Sequence, residues 1–130
     1  MPVLSDLAGM MARVIGTWHG LVLDCPDPAA LAAFYQELLG MVRVQDGADF
    51  VVIGDALDRP GVAFARVPGS RAPAWPDGDP PQQMHFDVRV EDLDVAQEQV
   101  LALGATPLKG GERFRVFADP AGHPFCLVAW

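Results

Sequence analysis

The stretch Leu21-Val22-Leu23-Asp24-Cys25-Pro26-Asp27-Pro28 decides how the chain is read. Leu21, Leu23 and Cys25 alternate with Val22 and Asp24, the two-residue period of a strand with one face in a core. Asp27 offers a side-chain acceptor to the first helical N–H groups, and Pro28 suits the first helical position, where no N–H is needed. Leu31, Phe34, Tyr35 and Leu38 then form one apolar stripe, and Gly40 ends a helix of about three turns. A strand feeding a capped amphipathic helix is the expected unit.

Three short strands are expected next, at Met41 to Gln45, Asp49 to Ile53 and Val62 to Val67, separated by polar or Gly/Pro-bearing breaks. They read as an antiparallel meander. The run from Pro68 to Pro81 is rich in Pro, Gly and Asp, includes Ala74-Trp75-Pro76, and reads as a connection.

The pattern then starts again. Met84, Phe86, Val88 and Val90 alternate with His85, Asp87 and Arg89. Asp92 opens a helix with Leu93, Ala96, Val100 and Leu103 on one side and Gly104 at its end. Strands follow near Pro107, at Phe114 to Ala118 and at Pro124 to Val128. Asp27 and Asp92 lie 65 positions apart and Gly40 and Gly104 lie 64 apart, so one insertion or deletion aligns the two halves. The order strand, helix, three strands is therefore written twice. A Rossmann domain is excluded, because it needs alternating strands and helices with a glycine-rich turn.

This gives one domain of 130 residues, divided into a first module at 17–67, a linker at 68–81 and a second module at 82–130. Residues 1–16 precede the modules as an extension or a docking helix, with Leu7, Met10, Met11 and Val14 at helical spacing behind a Ser5 cap. Met11 is an alternative start to Met1, and the sequence leaves the choice open.

Composition narrows the function. Seventeen acidic residues against nine basic ones give a net charge of −8, which repels phosphate backbones and argues against nucleic acid as a partner. No apolar run has the length of a bilayer span, and the start lacks the basic region of a signal peptide, so a cytoplasmic protein with no membrane partner is expected. Cys25 and Cys126 stand far apart with no CxxC pair, which excludes a zinc ribbon and a dithiol redox motif. Both read as buried free thiols.

The order of short motifs carries a resemblance. These are Leu23-Asp24-Cys25-Pro26-Asp27-Pro28, Phe34-Tyr35 with Leu38-Leu39-Gly40, Trp75-Pro76, His85-Phe86-Asp87, Asp92-Leu93-Asp94, Leu101-Ala102-Leu103-Gly104-Ala105, and Asp119-Pro120-Ala121-Gly122-His123-Pro124-Phe125-Cys126. Each is weak alone, but in this order across two repeated units they are specific. From about Thr17 to Trp130 the chain resembles the vicinal oxygen chelate superfamily, which includes glyoxalases, bleomycin-resistance proteins and dihydroxybiphenyl dioxygenases, and within it a glyoxalase-like subgroup. The resemblance implies an α+β fold in which two tandem βαβββ modules form a curved, partly open mixed-sheet barrel around a cavity. It also implies a homodimer, with the Leu7 to Val14 stripe as apolar surface to bury.

Metal-dependent relatives place His, Gln or Glu at inward positions on the first, fourth, fifth and eighth strands. By that resemblance the fifth-strand position is His85. The first-strand position falls on Gly20, the fourth near Val62, and the eighth-strand glutamate is replaced by Cys126. One imidazole and one thiol do not make an oxygen-and-nitrogen metal site, so no metal cofactor is expected. The only metal candidates are His85 and His19, and His19 needs a bulge at Gly20 to turn inward. A divalent ion is the alternative. His123 is expected in a turn, where it satisfies local backbone groups.

Without a metal, the inward set is Val22, Asp24, His85, Asp87, Arg89, Cys126 and Val128, with Trp75 over the mouth. An apolar floor with a few convergent polar groups suits a small-molecule ligand. Two readings follow. The chain is a glyoxalase-like protein that binds a small molecule in its cavity, or it is a lyase, isomerase or dioxygenase-type enzyme that uses His85 as metal ligand or general acid/base.

Overall fold

The computed structural model describes residues 18–72 and 84–129. The Leu7 to Val14 stripe and Trp75 lie outside these residues. The first module runs β1 (Leu21–Cys25), α1 (Pro28–Leu39), β2 (Val42–Asp46), β3 (Phe50–Ala56) and β4 (Arg59–Arg66). The second runs β5 (Phe86–Arg89), α2 (Leu93–Ala102), β6 (Thr106–Lys109), β7 (Phe114–Ala118) and β8 (Pro124–Val128). Both sheets have the same order, β1-β4-β3-β2 and β5-β8-β7-β6, with the first pair parallel and the others antiparallel. The result is an α+β fold of two βαβββ modules whose sheets curve without closing.

The helix ends follow from local chemistry. Asp27 accepts from the Ala30 N–H at 3.2 Å, and Asp92 from the Val95 N–H at 3.1 Å. At the other ends Gly40 and Gly104 adopt φ of 68° and 110°, a region that glycine enters without a Cβ penalty.

One core joins the modules. Leu31, Phe34 and Tyr35 of α1 pack with Val51, Ile53, Val62 and Phe64 of their own sheet and with Phe117, Phe125 and Leu127 of the other. The Tyr35 ring stacks on Phe64 at 5.7 Å and meets the edge of Phe86 at 5.4 Å. The helix-side core is therefore shared by both modules.

Three expectations about packing need correction. Met84 was expected to pack on the helices with Phe86 and Val88 but is 69% exposed, because β5 begins only at Phe86. Leu103 was placed on the apolar stripe of α2 but is 38% exposed, since the helix ends at Ala102 and the cap turns it outward. The strands of the first meander extend further at the hairpin than expected, with β3 reaching Ala56 and β4 starting at Arg59 around a tight turn.

A concave face with one polar half

Residues paired directly across a ladder project to the same side of a sheet, so the register defines the face away from the helices. In the first module, Val22 pairs with Ala63, Ala63 with Val52, and Val52 with Gln45. The matching row of the second module is Asp87, Cys126, Val116 and Lys109. The two rows occupy equivalent places, and each contains a register shift in its outermost strand, between Arg43 and Gln45 and between Pro107 and Lys109. That shift moves Arg43 to the helix side, where its guanidinium donates to Gln36 at 2.7 and 2.9 Å.

One row is apolar over three of its four positions, and the other carries the chemistry. His85 Nε2 lies 3.2 Å from Asp87 Oδ1. One ligand-type atom from each of His85, Asp87 and Cys126 lies within 4.8 Å of the others, with His85 and Asp87 exposed and Cys126 buried. Strand geometry explains the convergence, since His85 and Asp87 are two residues apart and share a face, while Asp87 is the direct partner of Cys126 on β8. Burial pushes the Cys126 thiol up to about 11, with the Asp87 carboxylate adding through its charge and a hydrogen bond. Near neutral pH the sulfur keeps its proton and acts as a donor.

The other expected residues are placed as follows. Val22 and Asp24 lie exposed on the matching face of β1. Val128 is buried beside Cys126 and Val116, and forms with them a small apolar cluster. Arg89 shares the face of Asp87 and also borders a groove of about 420 Å³ between α1 and α2, together with Glu37, Leu38 and Gln99. His19 precedes β1, is exposed, and lines a cavity of about 60 Å³ with Val22, Phe50 and Val52. It does not join His85, which borders a separate cavity of about 40 Å³ with Leu21, Leu23 and His123. Gly20, where a bulge was expected, precedes the β1–β4 register, which runs from Leu21 to Cys25 without a shift.

The first module does not complete an ion site at the matching positions. The counterpart of His85 is Gly20, where even a Cβ would meet the Gly61 carbonyl oxygen at 3.0 Å. The counterpart of Cys126 is Ala63, not the neighbouring Val62, whose side chain faces the core. His123 also departs from expectation. Its own N–H goes to the local Asp119 carboxylate, but its ring Nε2 reaches the Asp24 carbonyl at 2.7 Å, across the module boundary.

Sequence reasoning missed the groove between the helices and the contribution of Val52, Ala63, Val116 and Lys109 to the concave face. Val51, Val52 and Ile53 form an unbroken apolar run with no alternation to mark a face, and the register shifts leave no signature in the residue types.

A family model described as a glyoxalase-like domain matches residues 20–128, which includes both modules. The chain belongs to the glyoxalase-like domain family. Solved structures of the vicinal oxygen chelate superfamily share the architecture. A glyoxalase-related enzyme from Fulvimarina pelagi is 17% identical with a TM-score of 0.66, covering 89% of this chain and 89% of that one. A glyoxalase/bleomycin resistance protein/dioxygenase family enzyme from Burkholderia phytofirmans PsJN is 16% identical with a TM-score of 0.64, covering 84% and 94%. A variant of the fosfomycin resistance protein FosX from Listeria monocytogenes, complexed with Mn(II) and 1S,2S-dihydroxypropylphosphonic acid, is 18% identical with a TM-score of 0.66, covering 89% and 91%. At these identities the likeness shows the glyoxalase-like fold alone. No curated protein is significantly similar in sequence. Among the described residues, no helix is long and apolar enough to cross a membrane.

Proposed function

We propose that this glyoxalase-like chain binds a small organic molecule on its concave face, with an apolar body against the first module and a hydrogen-bonding end against the second. The observation that supports this is the asymmetry of the two rows, Val22, Ala63 and Val52 against Asp87, Cys126 and the adjoining His85. Apolar walls with a few convergent polar groups are the usual composition of such sites. The groove between α1 and α2 is larger, but its lining includes none of His85, Asp87 and Cys126, whose ligand-type atoms converge. The reading needs no Mn(II)-type ion, and the first module supplies no donor at Gly20 or Ala63.

A second reading is favoured by the 3.2 Å contact of His85 with Asp87, which suits a general acid or base whose imidazole is held by a carboxylate. Both readings place ligand at His85.

The test is a thermal-shift screen of small compounds with an apolar body and an oxygen- or nitrogen-bearing head, followed by titration of each hit. His85→Ala is expected to weaken binding by roughly 1–3 kcal/mol, the cost of leaving a buried polar partner unpaired. His19→Ala is expected to leave binding unchanged. If His19→Ala abolishes binding and His85→Ala does not, the ligand sits at the first-module cavity and the reading fails.

A further inference from the structure

The groove of about 420 Å³ between α1 and α2 lies behind the sheet that carries the polar cluster. Val88 and Leu127 are direct ladder partners and line it, and they point to the opposite side of that sheet from Asp87 and Cys126. We propose that this groove is a second binding site, which takes a dipeptide-sized zwitterion with apolar side chains. It shares no lining residue with the His85, Asp87 and Cys126 cluster and does not depend on what the concave face binds.

Both modules build the groove. The first supplies Glu37 and Leu38 from the last turn of α1, and the second supplies the β5 and β8 floor and the α2 wall. Val88, Val100 and Leu127 make that floor apolar, and Leu103, which the helix cap leaves partly exposed, adds apolar surface. The volume falls within the range of roughly 300–1,000 Å³ typical of small-molecule sites, which favour boundaries between structural units and gaps between helices. Apolar ligand side chains laid on this floor leave water, which favours binding.

The charged lining chooses the ligand. Glu37, Arg89 and Gln99 bring a carboxylate, a guanidinium and an amide to one groove. Arg89 is the last residue of β5, and its long side chain borders the groove although its strand parity is that of Asp87. A ligand with a single sign of charge is attracted by one of the two ions and repelled by the other. The chain's net charge of −8 disfavours a plain anion further. A zwitterion answers both ions, with its ammonium toward Glu37 and its carboxylate toward Arg89. Gln99 carries donors and an acceptor, which match the N–H and C=O of a peptide bond between those ends. That third match favours a dipeptide over a single amino acid.

The probe is the dipeptide leucyl-phenylalanine with free ends, titrated into full-length protein by calorimetry and methyl NMR. Methyl signals of Leu38, Val88 and Val100 are expected to move, while those of Val22 and Val52 on the concave face stay in place. Blocking the dipeptide's amine by acetylation, or its carboxylate as the amide, should each weaken binding about fivefold, the scale of an exposed ion pair. Glu37→Gln should erase the acetylation penalty and keep the amide penalty. Ala102→Trp fills the groove from an exposed position and should abolish binding, with circular dichroism checking the fold. Glu37 is exposed, so Glu37→Gln keeps the test valid even if Ala102→Trp unfolds. His85→Ala should leave dipeptide binding intact, which separates this site from the concave face. No binding to folded wild-type protein overturns the proposal. So do methyl shifts at Val22 and Val52 instead of the groove, an acetylation penalty that persists in Glu37→Gln, or binding that survives folded Ala102→Trp.

Discussion

The hydroxyl of Tyr35 donates to Asp119 Oδ2 at 2.6 Å, which joins the first helix of one module to the last turn of the other across 84 positions of sequence. Asp119 is only 2% exposed, and its second oxygen accepts from the backbone N–H groups of Ala121 and His123. The carboxylate therefore holds the turn before β8 and the helix that packs on β8 at once.

Tyr35→Phe removes one donor to a buried carboxylate and keeps the ring stacked on Phe64. A loss of about 1.5–3 kcal/mol is expected, the range for hydrogen bonds to charged groups. Urea unfolding measures it. A change under about 0.5 kcal/mol would mean that water replaces the phenol and the pin is weak.

Alkaline pH should destabilise the protein in two stages. Burial pushes the Cys25 thiol above its ordinary value of 9.0, and burial together with the Asp119 charge pushes the Tyr35 phenol above 10.0. The unfolded chain releases these protons at the ordinary values, so above them it binds fewer protons than the folded state and stability falls as pH rises. The contribution is complete below pH 9, declines above it, and declines more steeply above pH 10. Tyr35→Phe cannot ionise and should lack the steeper part. Equal slopes for wild type and Tyr35→Phe above pH 10 would contradict the assignment.

His123→Ala should cost about 0.5–1.5 kcal/mol by removing the contact of the ring with the Asp24 carbonyl, 2.7 Å away on the other module. The loss is small because the ring is only half-buried and water can take its place at the carbonyl. Chemical denaturation decides it, and an unchanged midpoint would show that the contact adds nothing to stability.

Manganese(II) should not raise the melting temperature. An ion that binds only the folded state must stabilise it, so the absence of a shift reports weak binding. The positions equivalent to His85 and Cys126 in the first module hold Gly20 and Ala63, which offer no side-chain oxygen or nitrogen. A manganese-induced rise that disappears in His85→Ala would show that a hard ion finds its donors elsewhere.

The fold was legible because its signals are local and repeated. Asp27-Pro28 and Asp92-Leu93 mark two helix starts, and Gly40 and Gly104 mark two ends. The alternation in β1 and β5 shows one face turned to a core. The side-chain parity of His85, Asp87 and Arg89 was also readable, since neighbouring positions on a strand point oppositely. Less legible were Met84 and Leu103, which lie just outside the elements whose period suggested burial. Periodicity locates an element's middle better than its ends.

By itself, the sequence determined the element order, the duplication, the helix caps and the set of side chains facing away from the helices. All of these depend on residues a few positions apart. Only the tertiary structure decided which of those side chains meet. Asp87 and Cys126 are neighbours because β5 pairs with β8 in one register, and a slip of one residue would turn Cys126 to the core. The tertiary structure likewise decided that Tyr35 reaches Asp119 and that His123 reaches Asp24, because contacts between modules depend on how two curved sheets share one core. No spacing within either module encodes that arrangement.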